Sequence, residues 1–225
     1  MKTLLTVLLI VGIASVALAE KPVGINDSTV NRVECTFENV TYEWDFTNGD
    51  NGFTTGACDD GGQPVWELGN AYGEDCFGTI IAGDYPNDSG EALISPAFLV
   101  DESSFLVQIY HFFDIEGNYD GCNLMVNGVV VEPMEGYPGV ISESESFYAW
   151  CVDMQPGFSG HDPTGFFDSC FDLGDFIGEE VQLSFQFGSD SSVQYPGWYI
   201  ATVLVGGDVV ATDGASWSQI KGMYR

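Results

Sequence analysis

Basic residues are almost missing from this 225-residue chain: 5 Lys and Arg stand against 34 Asp and Glu, a formal charge of −29. A phosphate backbone or an anionic lipid surface would be repelled over most of such a surface, which excludes nucleic-acid partners and membrane-surface binding. Histidine is nearly as scarce, with only His111 and His161. Two histidines so far apart cannot form the H-E-x-x-H zinc motif, and the chain has no G-x-S-x-G elbow or phosphate-cradling Gly-Lys loop. Metallopeptidase, α/β-hydrolase and nucleotide-binding chemistry of those kinds is excluded, and no residue is assigned a catalytic role. Sustained helical periodicity is missing after the first 19 residues, and so is any later apolar run long enough to span a bilayer. Aromatic mass, by contrast, is plentiful, with 16 Phe, 10 Tyr and 5 Trp in a chain that is 45% hydrophobic. That content separates the chain from disordered acidic tails and suffices for one well-filled core.

The N-terminus reads as a leader. Lys2 precedes an apolar stretch from Leu4 to Val16, and Ala17-Leu18-Ala19 gives the small-x-small pattern that signal peptidase cleaves. The expected organisation is a signal peptide over 1–19, a polar arm over 20–34, a single domain over 35–207 and a short tail over 208–225. The protein is expected to be secreted, to an extracellular or periplasmic space, with no membrane insertion after cleavage. Cys35, Cys58, Cys76, Cys122, Cys151 and Cys170 remain in the mature chain. An even count in an exported protein predicts three disulfides, because closely spaced thiolates or neighbouring histidines for zinc are absent. Six cysteines allow 15 pairings; Cys58 with Cys76 and Cys151 with Cys170 would close moderate loops.

Period-two alternation dominates the rest of the chain. It is cleanest at Val181, Leu183, Phe185 and Phe187, whose intervening residues are polar. A strand over 105–115 would place Val107, Ile109, His111 and Phe113 on a buried face, making His111 a core residue. The segments 122–126 and 129–134 flank Asn127-Gly128, a dipeptide suited to the positive φ angles of a two-residue hairpin turn. Further strands are expected over 41–46, 92–100, 167–173 and 198–205, with long connections over 48–62, 69–89 and 136–165. Seven or more short strands with large loops predict an all-β fold: a two-sheet antiparallel β-sandwich of the jelly-roll type.

Oxygen ligands cluster in those loops. Asp114, Glu116 and Asp120 alternate along one connection, and with Asp45 or Asp190 they would form a calcium site; an EF-hand is excluded because Met125 stands at the twelfth position. Trp66, Tyr72, Tyr85, Tyr137 and Trp198 lie in or beside Gly- and Pro-rich loops, where rings can stack on sugars or anchor a protein. Paired carboxylates also serve glycosidases, but with 34 acids such pairs arise by chance.

The ordered motifs WELGN (66–70), GDYPN (83–87), LISPAF (93–98), HFFDIEGNYDGCNLMVNG (111–128), GYPG (136–139), GFSG (157–160), FDLGDFIGEEVQLSFQFGSDSSV (171–193) and GWYIATVLV (197–205) carry a family resemblance. From about Tyr42 to Gly207 the chain resembles the jelly-roll, MAM-like domain that accompanies the catalytic domain of immune inhibitor A-type metallopeptidases. The resemblance implies a noncatalytic binding or adhesion module, often calcium-bearing, that recognises an extracellular glycan or protein. It also marks a departure: the acids that usually follow Trp198-Tyr199-Ile200 are Ala201 and Thr202 here. The alternatives are a structural cell-surface or matrix protein and a carbohydrate-active enzyme using paired carboxylates.

Overall fold

The computed structural model describes residue 35 and residues 37–58, 62–142, 149–162 and 164–209. The expected leader (1–19), the arm (20–34) and residues 210–225 of the tail lie outside the described residues. Among the described residues fifteen strands follow in chain order: β1 (Phe37–Trp44), β2 (Thr54–Gly56), β3 (Trp66–Ala71), β4 (Glu74–Thr79), β5 (Gly90–Ile94), β6 (Phe98–Leu99), β7 (Leu106–Asp114) and β8 (Gly121–Val126). After them come β9 (Val129–Val131), β10 (Gly139–Val140), β11 (Pro156–Gly157), β12 (Phe167–Asp172), β13 (Glu180–Val181), β14 (Leu183–Gly188) and β15 (Gly197–Val209). One sheet runs β12-β7-β15-β4-β3, with β1 pairing the far half of β15; the other runs β2-β5-β14-β8-β9. The paired strands are antiparallel throughout, and the chain alternates between the sheets, as a jelly-roll β-sandwich requires.

Alternation sets the core. Val107, Ile109 and Phe113 of β7 meet Leu183, Phe185 and Phe187 of β14 across the sandwich, around the fully buried Trp198. Burial of so large a ring needs a partner for its N–H. Trp198 Nε1 donates to His111 Nδ1 at 2.9 Å, and His111 Nε2 lies 3.0 Å from Ser169 Oγ. The network assigns the Nε2-protonated tautomer, since Nδ1 must accept. His111 is thus the core histidine that its strand position implies.

The Asn127-Gly128 hairpin forms as expected, with φ of 51° and 80° at its two turn residues. A second hairpin, β3–β4, replaces part of the connection expected over 69–89. Its turn is Tyr72-Gly73, again with positive φ at both positions (55° and 94°). Its strands are short on β-branched residues, so their propensity is silent, and pairing against β15 makes them strands. The segment expected as one strand over 92–100 is broken at Ser95-Pro96 into β5 and β6, because proline cannot donate to a ladder. β15 also runs past the expected domain edge at 207, to Val209.

The disulfides differ from the expectation. Cys35 pairs with Cys170 and Cys58 with Cys151, whereas Cys76 and Cys122 are free and buried. Neither Cys58–Cys76 nor Cys151–Cys170 forms. Cys76 points to the outer face of the six-stranded sheet beside Ala71, Tyr199 and Ala201, while Cys122 points into the core from the other sheet, so the sandwich wall separates them. The two bridges formed span 135 and 93 residues and tie the chain's start to β12 and the β2–β3 connection to the segment before β11. Burial raises the Cys76 thiol to about 11 and holds Cys122 well above its usual range, which keeps both inert. Thiol titration is therefore expected to find no reactive cysteine in the native protein and two per chain after denaturation without reductant. Zero or six in the denatured chain would contradict this pairing.

Candidate functional site

Three loops meet at one end of the sandwich. The β7–β8 connection carries Glu116 and Asp120, the segment before β5 carries Tyr85, and the turn after β14 carries Asp190. Each loop is pinned before any side chain is considered. Ile115 N donates to Gly160 O, Asp88 N to Asp190 O and Tyr85 N to Tyr195 O. Ser159 accepts from Asn118 N at 2.9 Å, and its hydroxyl lies 2.7 Å from Asp120 O.

Asp120 sits at the centre with no exposed surface. Its Oδ2 accepts from the Tyr85 hydroxyl at 2.7 Å, and its Oδ1 accepts from Asp190 N at 2.7 Å. The Tyr85 oxygen accepts in turn from Glu116 N at 3.1 Å. Carboxylate oxygens of Glu116, Asp120 and Asp190 all lie within 4.8 Å of one another. Asp190 is only 2% exposed, and although its Oδ1 accepts from Ser192 N, its Oδ2 has no partner. Glu116 Oε2 is likewise buried without one. A buried carboxylate oxygen that accepts nothing is costly, and here two such oxygens belong to acids of one cluster. The donor set is all oxygen, the preference of a hard divalent ion.

Carboxylates this close, two of them buried, favour the protonated forms of Asp120 and Glu116. Desolvation, opposed by the hydrogen bonds from Tyr85 and Asp190, drives Asp120 up to about 8, with the charges of Asp190 and Glu116 adding to the rise. Glu116 is lifted to about 7 by burial first and by Asp190 second. As a glycosidase pair these acids are closed off: Asp120 and Asp190 are buried, leaving no path for a sugar ring between them.

Of the five acids expected to bind metal, Glu116, Asp120 and Asp190 converge and two do not. Asp45 is exposed and caps its own turn through Thr47 N and Oγ1. Asp114 faces His161, with Oδ1 3.3 Å from Nδ1. Ala201 packs on the outer sheet face with Ala71 and Cys76, four residues along β15 from Gly197, which pairs with Asp114. The absence of acids at 201 and 202 therefore leaves the three-carboxylate cluster intact.

The five expected ligand-stacking rings fare differently. Trp66 and Trp198 are core, their rings 5.6 Å apart, and Tyr85 is consumed by the carboxylates. Tyr137 packs on the core and bridges Leu124 N and Val131 O through its hydroxyl. Proximity to loops misleads here, because the ends of a sandwich need large plugs as much as its middle does. Tyr72 alone of the five is exposed, at 63%, on the tip of the β3–β4 hairpin. Tyr85 as a carboxylate partner and Ser159 as a loop tie were not foreseen; both act through contacts between segments more than 30 residues apart.

The fold and the cysteine chemistry together define an all-β sandwich of an oxidising, extracytoplasmic compartment. No family model matches the chain. It is similar to part of bacillopeptidase F of Bacillus subtilis (strain 168), 25% identical over 189 residues. That stretch covers 80% of this chain but spans only 11% of the relative's length.

The raised acids predict a pH dependence for the cation-free protein. Their folded pKa values lie above the ordinary carboxylate range, so their contribution to stability is full near pH 4 and is lost as pH rises through 7 to 8. The melting temperature of chelator-treated protein is expected to fall between pH 5 and pH 8.5, and Asp120→Asn is expected to flatten that slope. An unchanged slope in the variant would place the pH dependence elsewhere.

Proposed function

We propose that this chain is a noncatalytic module of an extracellular protein, a calcium-stabilised sandwich of the MAM-like type that accompanies immune inhibitor A-type metallopeptidases, and that its surface binds an extracellular glycan or protein. The observation that carries the calcium reading is the unpartnered Oδ2 of the buried Asp190, whose carboxylate lies within 4.8 Å of those of Glu116 and Asp120. Glu116, Asp120 and Asp190 would hold the ion, which would supply the positive charge that lets Asp120 and Glu116 ionise. Zinc fits poorly, since the cluster holds neither histidine nor cysteine. Calcium suits three carboxylates drawn from separate loops better than magnesium, which demands octahedral geometry and keeps several waters.

The module reading draws on the motif order and on the similarity to a small part of a much longer peptidase. The motifs that carry the resemblance supply the cluster: GDYPN contributes Tyr85, HFFDIEGNYDGCN contributes Glu116 and Asp120, and FGSDSS contributes Asp190. In that reading the ion fixes three loops at one end of the sandwich, leaving the sheet faces free to meet a partner.

Calcium at about 100 times its dissociation constant stabilises a binding protein by roughly 2.7 kcal/mol, a rise on the order of 5–10 °C in melting temperature for a domain of this size. That rise is expected for the native chain, is expected to be smaller with magnesium, and is expected to vanish in Asp190→Asn. Absence of a rise, or its survival in Asp190→Asn, would remove the calcium site.

A further inference from the structure

A groove of about 430 Å³ crosses the outer face of the six-stranded sheet, apart from the carboxylate cluster. Its floor is a chain of rings. Tyr72 meets Phe112 edge-on at 5.1 Å, Phe112 meets Phe166 at 5.9 Å and Phe166 meets Tyr110 at 5.2 Å, while Tyr199, outside the lining, meets Tyr72 at 5.3 Å. Its walls are Glu74 on one side and His161, Asp162 and Thr164 on the other. Acids surround it: burial and then Asp114 raise the Tyr72 hydroxyl, and burial, Glu74 and Asp168 raise that of Tyr110.

The distribution of charge over the chain decides what suits this groove. Lys2, Lys21, Arg32, Lys221 and Arg225 are all of its basic residues, and none lies between Cys35 and Val209. All but four of its 34 acids (Glu20, Asp27, Glu34 and Asp213) lie within that span. That span therefore offers no lysine or arginine to its own aromatic faces. A ring chain rimmed by carboxylates is the arrangement that attracts a cation twice, through the π-faces and through the acids. A neutral sugar could stack on Tyr72 but would draw nothing from the charge, and Phe112 is buried.

We infer that this groove binds the cationic side chain of a basic protein partner, with an arginine guanidinium stacked against Tyr72 and Phe166 and paired with Glu74. The inference rests on the module reading and narrows its ligand from glycan or protein to protein. Arginine fits better than lysine because its flat guanidinium both stacks on rings and forks onto a carboxylate. The groove volume lies within the range of small-ligand pockets, enough for one such side chain and the backbone around it.

The test uses the full mature chain at about 0.15 M salt, where the Debye length of about 8 Å screens the diffuse field. The probes are acetyl-Gly-Arg-Gly-amide and its citrulline analogue, which keeps the shape and loses the charge. The arginine peptide is expected to bind at least about 10-fold tighter than the citrulline peptide. Tyr72→Ala, which leaves the net charge unchanged, and Glu74→Gln are each expected to weaken it roughly 5- to 30-fold. Asp175→Asn with Glu180→Gln, a charge loss away from the groove, is expected to leave binding unchanged.

Equal binding of the two peptides overturns the inference, as does a loss from the distant pair as large as from the groove variants. Oligosaccharide binding that Tyr72→Ala abolishes, with no arginine preference, would overturn it in favour of a glycan. Failure here is distinguishable from failure of the module reading. A chain that shows the calcium response but not the arginine preference loses only the groove. A chain that prefers arginine without any calcium response loses only the ion site.

Discussion

Asp120 is the constraint on which the rest of this end of the molecule depends. A carboxylate with no exposed surface must find donors within the protein, and it finds Tyr85 from one loop and the backbone of Asp190 from another. Those two bonds fix the mutual position of three segments more than 30 residues apart in sequence. Once they are fixed, Glu116 and Asp190 are carried to within reach of Asp120, and the three acids share one space. The electrostatic problem is thus a direct result of the packing solution. Protons relieve it, which is why Asp120 and Glu116 are held protonated into the neutral range.

The same loops tie the carboxylate cluster to the outer sheet face. Ser159 spans the β7–β8 loop, Gly160 accepts from Ile115, and His161 bridges Asp114 at the end of β7. The next residues, His161 and Asp162, are a wall of the aromatic groove. A change in the order of the β7–β8 loop would therefore reach the groove through a short stretch of backbone. Beneath both, the core is held by Trp198, whose indole N–H is satisfied by His111 and whose ring touches both sheets.

Much of the architecture was legible from alternation alone. The strands β7, β12, β14 and β15, the Asn127-Gly128 hairpin and the buried His111 follow from which residues face inward at period two. The β3–β4 hairpin was hidden because Gly-Asn-Ala-Tyr-Gly-Glu has weak strand propensity and becomes a ladder only beside β15. The clustering of acids in the β7–β8 loop was legible from their alternate positions. Which distant acid completes the set was not, since Asp45 and Asp190 look alike in sequence and only Asp190 is buried beside Asp120.

The sequence by itself determined the class of fold and the acidity, because composition and periodicity are local properties that any strand carries with it. Tertiary structure alone decided the cysteine partners, the fate of the five rings and the membership of the cluster. The physical reason is shared: a disulfide, a buried ring and a three-acid site are each defined by what stands opposite in space. In a sandwich whose chain alternates between sheets, the residue opposite is far away in sequence, so period-two patterning names the face a residue lies on but not its neighbour across the gap.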